Sequence, residues 1–399
     1  MEPNNIKQIK LQPKKEGSLK RFHPWVFSGA IANLPNNIVE GETVKVISSK
    51  DEFLGIGHYQ IGSISVRILS FEDEEIDVNF YTKTIRNAYN MRLENGFITD
   101  SNHTYRLIHG EGDNLPGLII DVYEKSAVVQ AHSVGMDSDK MMIVEALNNV
   151  LGNDNLKNIY YKSEGTLPFK AEIDSIDGYL YGGKDVDAVS IENGLKFNID
   201  WLRGQKTGFF IDQRENRSLL EQYSKNRDVL NMFCYTGAFS VYAMRGGAKS
   251  VTSIDSSSKA IMITDENVAL NFDDTACHTS AAMDAFKYLR EMDDNAHDLI
   301  VLDPPAFAKH RGAIKNALQG YKRLNAAAIE KIKPGGIIFT FSCSQAISKE
   351  QFRLAVFSAA AMTGRKVRIM HQLTQPADHP INIYHPEGEY LKGLVLHVE

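Results

Sequence analysis

From about residue 191 to its end, this 399-residue chain alternates short apolar runs with amphipathic ones. RDVLNMFCY gives way to TGAFSVYAMRGG, KSVTSID to SSSKAIMITDENVALN, and HTSAAMD to AFKYLREMDD. HDLIVLDPP then leads to KNALQGYKRLNAAAIEKIKPGG, and IIFTFSCS to SKEQFRLAVFSAAAMTG, before RKVRIMHQL and GLVLHVE close the series. A run apolar at nearly every position is a strand covered on both faces, and the amphipathic runs are the helices that cover it. The alternation therefore predicts an α/β doubly wound sheet. In such a sheet ligands sit beyond the carboxyl ends of the strands, so the chemistry is expected in the residues that follow each strand.

Those residues form an ordered series. NMFCYTGAFS follows the first strand, with Gly237 opening a helix; the second ends in Asp255, the third in Asp284, the fourth in DPPAF with Asp303, and the fifth in Cys343. A dinucleotide would want G-x-G-x-x-G under its pyrophosphate. Only Thr236 and Gly237 stand at that turn, which suits a ligand without phosphate. An acidic residue 18 positions after Gly237 can accept hydrogen bonds from ribose hydroxyls, and Asp284 can meet an adenine amino group. Both features suit S-adenosylmethionine. Each aspartate also precedes a helix, so N-capping is the bland alternative for both. In DPPAF, two prolines fix the backbone and hold Asp303 and the Pro304 carbonyl towards the crevice. A flat base could pack beside Pro305 and Phe307, or Phe307 could simply enter the core.

Upstream, two other textures appear. Residues 1–72 hold short alternating runs broken by Gly and Pro (IKLQP, VFSGAIANL, ETVKVIS, LGIGHYQ, SISVRILSF), which read as a small barrel. After the acidic joint FEDEEIDVN, residues 73–190 mix helix and strand. VNFYTKTIRNAYNMRLE is helical, GLIIDVYEKSAVVQAHS is a hairpin, and SDKMMIVEALNNVL is a helix that Ser138 or Asp139 can cap. YGGKDVDAVSIENG reads as loop and hinge before residues 191–399.

The net charge of −6 excludes a protein that coats nucleic acid everywhere but not one with a local basic site. Residues 1–25 carry Lys7, Lys10, Lys14, Lys15, Lys20 and Arg21 against Glu2 and Glu16, a local balance of +4. Three scattered cysteines make neither a disulfide framework nor a zinc site, so no metal is expected and a reduced, cytoplasmic setting fits. MEPNNIKQIK lacks the apolar stretch of a signal peptide, and no run approaches the ~20 residues that span a bilayer, so no membrane partner is expected.

Cys343 raises the sharpest question. Lone cysteines on apolar strands are ordinarily small core hydrophobes. Cys343, however, ends the strand expected beside that of Asp303, at the crevice mouth. A thiolate there can do what methylation of an aromatic carbon requires. Cytosine C5 is a poor nucleophile, and sulfur adding at C6 makes it electron-rich. Hydrogen bonding at N3 and N4 would stabilise the adduct, with Asp303 the candidate. Methylating an exocyclic amine needs no thiol. Cys234 reads as packing, and Cys277 receives no role.

With these motifs in order, the chain resembles the bacterial RlmI type of large-subunit ribosomal RNA cytosine-C5 methyltransferases, which depend on S-adenosylmethionine. RFHPWVFSGAI, YRLIHGEGDNLPGLIIDVY, KTGFFIDQRENR, LNMFCYTGAFS, DPPAF, GYKRLN, FTFSCS and ADHPINIYHPEGEYLKG carry the resemblance along essentially the whole length. It implies an N-terminal PUA β-barrel over residues 1–72, a central α+β domain over 73–190, and a class I, Rossmann-like methyltransferase domain with a seven-stranded sheet over 191–399. It implies 23S rRNA as partner, with Lys14, Lys20 and Arg21 on the RNA-binding barrel, and leaves a homodimer open. Thr207, Gly208, Phe210 and Asp212 would line the cofactor, with Gln213 and Arg214 at its methionine end; Arg214 could instead meet an RNA phosphate. Asn231, Phe233, Tyr235, Thr236 and Gly237 would form the cofactor turn. Asp255 with Ser256, Asp284 with Ala285, and Asp303 with Pro304 would follow the next three strands.

Two departures stand out. Members often carry a basic residue after DPP, where this chain has Ala306, with Lys309 and His310 shortly after. Other RNA cytosine-C5 methyltransferases place a second cysteine beside that proline; this chain has none, so the base that frees the enzyme is unnamed. Two alternatives stand beside cytosine-C5 transfer. One is guanine-N2 methylation, whose enzymes carry SNS where this chain has SCS. The other is a catalytically silent RNA-binding assembly factor, for which decay of the Gly237, Asp255 and Asp303 series would be expected.

Overall fold

The computed structural model describes residues 6–168, 175–183, 188–308 and 310–399. They group into two compact units. The first holds the chain to Ile191 with Ile199–Phe209 and Ala377–Gly388; the second holds Glu192–Asn198, Phe210–Pro376 and Glu389–Glu399. The barrel and the central sheet thus group together, and two segments expected in the C-terminal domain, 199–209 and 377–388, group with them. Residues 184–187 of the expected hinge lie outside the described residues, whereas its VSIE stretch is a strand.

In the first unit, β1 (Gln8–Leu11), β2 (Trp25–Phe27), β3 (Ile31–Asn33), β4 (Thr43–Ile47), β5 (Phe53–Tyr59) and β6 (Ile64–Ser70) form one sheet in the order β2-β6-β5-β4-β1-β3. Their alternating apolar residues supply a common core that includes Ile9, Leu11, Val44, Val46, Val66 and Ile68. Helix α1 (Val78–Glu94) starts where Asp77 accepts a hydrogen bond from Phe80 N. It packs with α3 (Lys140–Asn155), which follows the short α2 (Val134–Ser138). A second sheet joins β7 (Thr104–His109), β8 (Leu118–Tyr123), β9 (Ser126–Ala131), β10 (Asn158–Tyr161) and β11 (Gly178–Tyr181) in the order β11-β10-β9-β8-β7.

The cap expected for α3 is not made. The Asp139 carboxylate instead accepts the Tyr81 hydroxyl at 2.6 Å and pairs with His58 at 2.9 Å, while the Ser138 hydroxyl donates back to Val134 O. A buried ionic network explains the membership of the two distant segments. Arg92, fully buried, forks onto Asp113 and donates to Asp378 O at 2.8 Å; Arg106 forks onto Asp121, which also accepts the Thr207 hydroxyl at 2.6 Å. Buried guanidinium–carboxylate forks hold only when every polar atom is served, so these segments cannot drift without stranding charge.

A two-stranded sheet of β12 (Val189–Glu192) and β13 (Leu195–Asn198) falls where the chain passes between the units. The second unit then adds α4 (Arg214–Tyr223), β14 (Asp228–Met232), α5 (Ala238–Arg245), β15 (Ser250–Asp255), α6 (Ser258–Asn271), β16 (His278–Ala282) and α7 (Ala285–Glu291). It continues with β17 (Leu299–Leu302), α8 (Ile314–Lys331), β18 (Gly336–Ser342), α9 (Lys349–Thr363), β19 (Val367–Leu373) and β20 (Lys392–Val398). These seven strands make one sheet in the order β16-β15-β14-β17-β18-β20-β19. Six point the same way, five of them in adjacent parallel pairs, and β20 is antiparallel to both of its neighbours. The sheet is the doubly wound one expected. Strands such as Leu299–Leu302 and Gly336–Ser342 are buried at every position, as two covered faces demand. Among the described residues no helix is long and apolar enough to cross a membrane.

Candidate active site

Parallel register brings the strand ends of the second unit to one edge. Met232 lies opposite Leu302, and Leu302 opposite Thr340, so the turn after β14, the Asp303 loop and the end of β18 are neighbours. The strand expected over RDVLNMFCY stops at Met232, because Phe233 (φ 58) and Tyr235 (φ 48) turn left-handed. Bulky residues rarely adopt that conformation, and such strain clusters at functional sites. Gly237 (φ 76) completes the turn and opens α5; a Cβ there would lie 2.4 Å from Thr264 Cγ2 on α6. Thr264 also donates to Tyr235 O at 3.0 Å, and Asn267 to Thr236 O at 2.8 Å, so α6 clamps the turn from behind. Asn231 beneath it donates to Ser240, and its buried Oδ1 has no hydrogen-bond partner among the described residues.

Asp255 ends β15 as the sequence implies, but it does not cap α6; Ser257 does. Its two carboxylate oxygens accept from Tyr235 N at 3.0 Å and Ser257 N at 2.9 Å, which fixes the carboxylate while leaving a lone pair on each oxygen. Ser256 beside it is exposed. Asp284 is the N-cap of α7, accepting from Lys287 N at 2.9 Å, and Ala285 is buried behind it. Asp303 accepts the Gln213 side-chain amide at 3.1 Å, and Gln213 is held in turn by Asn216 at 2.6 Å. Next to Gln213, Asp212 accepts the Tyr390 hydroxyl at 2.7 Å, and Arg214 is buried at the start of α4. The Phe210 ring meets that of Tyr235 edge-on at 5.0 Å.

Pro304 is buried and Pro305 exposed. Phe307 packs on the Tyr321 ring of α8 at 4.7 Å, so much of it serves the core. Cys343 follows β18, half-buried, with Sγ 4.0 Å from Pro304 O. The next residue, Ser344, anchors this turn on three sides. Its hydroxyl meets Ala308 N at 3.2 Å and the Tyr321 hydroxyl at 3.0 Å, and its carbonyl takes Lys392 Nζ at 2.7 Å. Cys234 is buried near Thr264, and burial pushes its thiol up to about 12, which fits packing rather than chemistry.

The remaining expected residues lie in the first unit. Thr207 is buried with its hydroxyl on Asp121, and Gly208 (φ 110) packs against the Asp200–Trp201 backbone. Lys20 pairs with Glu52 at 3.1 Å, while Lys14 and Arg21 are exposed and without an ion pair among the described residues. Lys309 lies outside the described residues. Sequence reading missed Asn216, Thr264, Tyr321, Tyr390 and Lys392. The last was the most legible: a lysine opening the apolar run KGLVLHV, due for burial.

The edge carries Asp255, Asp284 and Asp303, with Asp212 beside Gln213, and lacks a glycine-rich phosphate cradle. Such a carboxylate edge repels phosphate and favours a cationic sulfonium, while Asp255 offers fixed acceptors to a ribose diol. The residues therefore fit S-adenosylmethionine, and a sheet of this topology with this edge defines a SAM-dependent methyltransferase.

Comparison with known proteins agrees. A family model for S-adenosylmethionine-dependent methyltransferases matches residues 161–386, and one for a PUA-like domain matches residues 9–71. The chain is 38% identical to ribosomal RNA large subunit methyltransferase I of Alteromonas mediterranea, over 98% of each chain. It is 40% identical to the protein of that name from Shewanella frigidimarina, over 98% of this chain and 99% of the relative. A structure from Streptococcus mutans, assigned to the SAM-dependent methyltransferases, shares the fold with a TM-score of 0.83 at 24% identity, covering 98% of this chain and 100% of that one. A methyltransferase structure complexed with SAH gives 0.84 at the same identity and coverage. The chain belongs to the ribosomal RNA large subunit methyltransferase I family.

The clamp on the cofactor turn yields a direct test. Gly237→Ala forces a left-handed alanine against Thr264, which should lower stability by about 1–3 kcal/mol in urea unfolding. Adding Thr264→Ser, which removes the clashing Cγ2, should recover part of that loss; purely additive losses would show that the contact is not what demands glycine.

Proposed function

We propose that the protein methylates C5 of a specific cytosine in 23S ribosomal RNA, with Cys343 as covalent nucleophile. Identity of 38–40% over nearly full length supports carrying the large-subunit rRNA substrate over from the relatives. The observation that carries the reaction type is the half-buried Cys343 thiol at the end of β18, against the carbonyl of Pro304.

In this reading Asp255 takes the ribose hydroxyls, Asp284 the adenine amino group, and Gln213 and Arg214 the methionine end, with Asp212 in the lining. The Phe233–Gly237 turn and Phe210 close around the nucleoside. S-adenosylmethionine, when bound, would supply the electrophilic methyl carbon that the C5 electron pair takes, its sulfonium–methyl bond breaking with the pair returned to sulfur in S-adenosylhomocysteine. The Cys343 thiolate adds to C6 of the cytosine: an S–C6 bond forms and the C5–C6 π pair moves to C5. After methylation a base removes the C5 proton, the freed pair restores the C5–C6 double bond, and the S–C6 bond breaks to return the thiolate. Asp303, held by Gln213, and the Pro304 carbonyl accept from the cytosine N4 amino group, while Pro305 and Phe307 flank the base. The PUA-like barrel presents Lys14, Lys20 and Arg21 to the RNA backbone.

Two variants separate these roles. Cys343→Ala should cut tritiated-methyl transfer to 23S rRNA by at least about 10³-fold with cofactor affinity by calorimetry unchanged. Transfer at the wild-type rate would discard the nucleophile. Asp255→Ala should weaken cofactor binding at least about tenfold, the worth of a charged hydrogen bond; an unaltered Kd would remove its ribose role.

A further inference from the structure

Lys392 is a buried lysine, 5% exposed, at the start of β20, a strand paired on both sides by β18 and β19. It stands opposite Ser342, one residue before the proposed nucleophile, and its ammonium donates at 2.7 Å to the carbonyl of Ser344, one residue after it. The strand has no slack there: a Cβ on the adjacent Gly393 would lie 2.6 Å from the Phe341 ring. A buried ammonium needs a counter-charge, and one neutral carbonyl is thin compensation. Three charged or titratable groups act on it. Glu389, on the loop before β20, is already paired with Lys349 of α9, so these two largely offset each other. The third is Cys343, close enough for its negative charge to favour the ammonium. From α8, the Tyr321 hydroxyl reaches the same turn at Ser344.

We propose that Lys392 is a positioning residue that acts through Cys343, its ammonium holding the thiol as the thiolate ready to attack. This rests on the reading of Cys343 as nucleophile and adds what that reading lacks, the source of its activation. A thiol donating to a carbonyl, as Cys343 does weakly to Pro304, is steadied in its neutral form; an adjacent fixed cation tips it the other way. Burial lowers Lys392 to about 8 while Cys343 opposes that fall. The lysine is therefore still charged near neutral pH, where the thiolate is needed, and loses its charge as pH rises past about 8. The anchored carbonyl also fixes the turn on which the sulfur sits.

The test is the pH dependence of iodoacetamide alkylation of the full chain, read by mass spectrometry on the peptide containing Cys343. The wild-type midpoint should lie below the ordinary thiol value of ~8.5. Lys392→Met should raise it by about one unit or more, and Lys392→Arg should keep it low. Methyl transfer by Lys392→Met should fall at neutral pH and recover as pH rises, which a merely structural role would not produce. A wild-type midpoint at or above the ordinary thiol value overturns the proposal without any variant, and so does a midpoint unmoved in a folded Lys392→Met. Either result leaves the nucleophile reading intact, because that stands or falls on Cys343→Ala.

Discussion

The parallel ladder of β14, β17 and β18 is the constraint on which the site depends. Neighbouring strands lie about 4.8 Å apart, and their pairing register decides which residues end side by side. Met232 opposite Leu302 and Leu302 opposite Thr340 put the left-handed turn, the Asp303–Pro304 step and Cys343 along one edge. A one-residue slip of β18 would exchange its two faces and move the thiol away from the Pro304 carbonyl. The uninterrupted burial of β17 and β18 is what makes such a slip costly.

Around that ladder the helices supply fixation rather than chemistry. Thr264 and Asn267 of α6 hold the Tyr235–Thr236 carbonyls, Asn216 of α4 holds Gln213 on Asp303, and Tyr321 of α8 holds the turn after Cys343. A buried pair locks the start of the unit: Glu192, fully buried, is forked by Arg217 and takes the Tyr242 hydroxyl, while Arg217 also donates to Phe210 O. Pre-set groups of this kind need little reorganisation when charge moves during a reaction.

Much of this was legible in the sequence because it follows from local periodicity. VNFYTKTIRNAYNMRLE is α1 to the residue, and every expected strand of the doubly wound sheet is present. Capping was less legible, because a carboxylate takes the strongest partner available. Asp139 is drawn to Tyr81 and His58, and Asp255 to the Tyr235 and Ser257 amides, so neither caps the helix that follows. For Phe307 the sequence left a base platform and a core role open; its packing on Tyr321 depends on a helix whose approach local sequence does not specify. The burial of Lys392 was legible, but its neighbour was hidden by topology. Its strand comes last in the chain yet inserts between β18 and β19, so its nearness to Cys343 exists only once the sheet is ordered.

The proposed transient bond between the Cys343 sulfur and a pyrimidine is tested most directly by substituting fluorine for hydrogen at C5. Fluorine cannot leave as a proton, so incubation of the enzyme with S-adenosylmethionine and 5-fluorocytosine-bearing 23S rRNA should accumulate a denaturant-stable protein–RNA adduct through Cys343. Mapping it would name the enzyme residue and the nucleotide together. Efficient methylation of ordinary rRNA with no such adduct, or with one carried by another residue, would contradict the account.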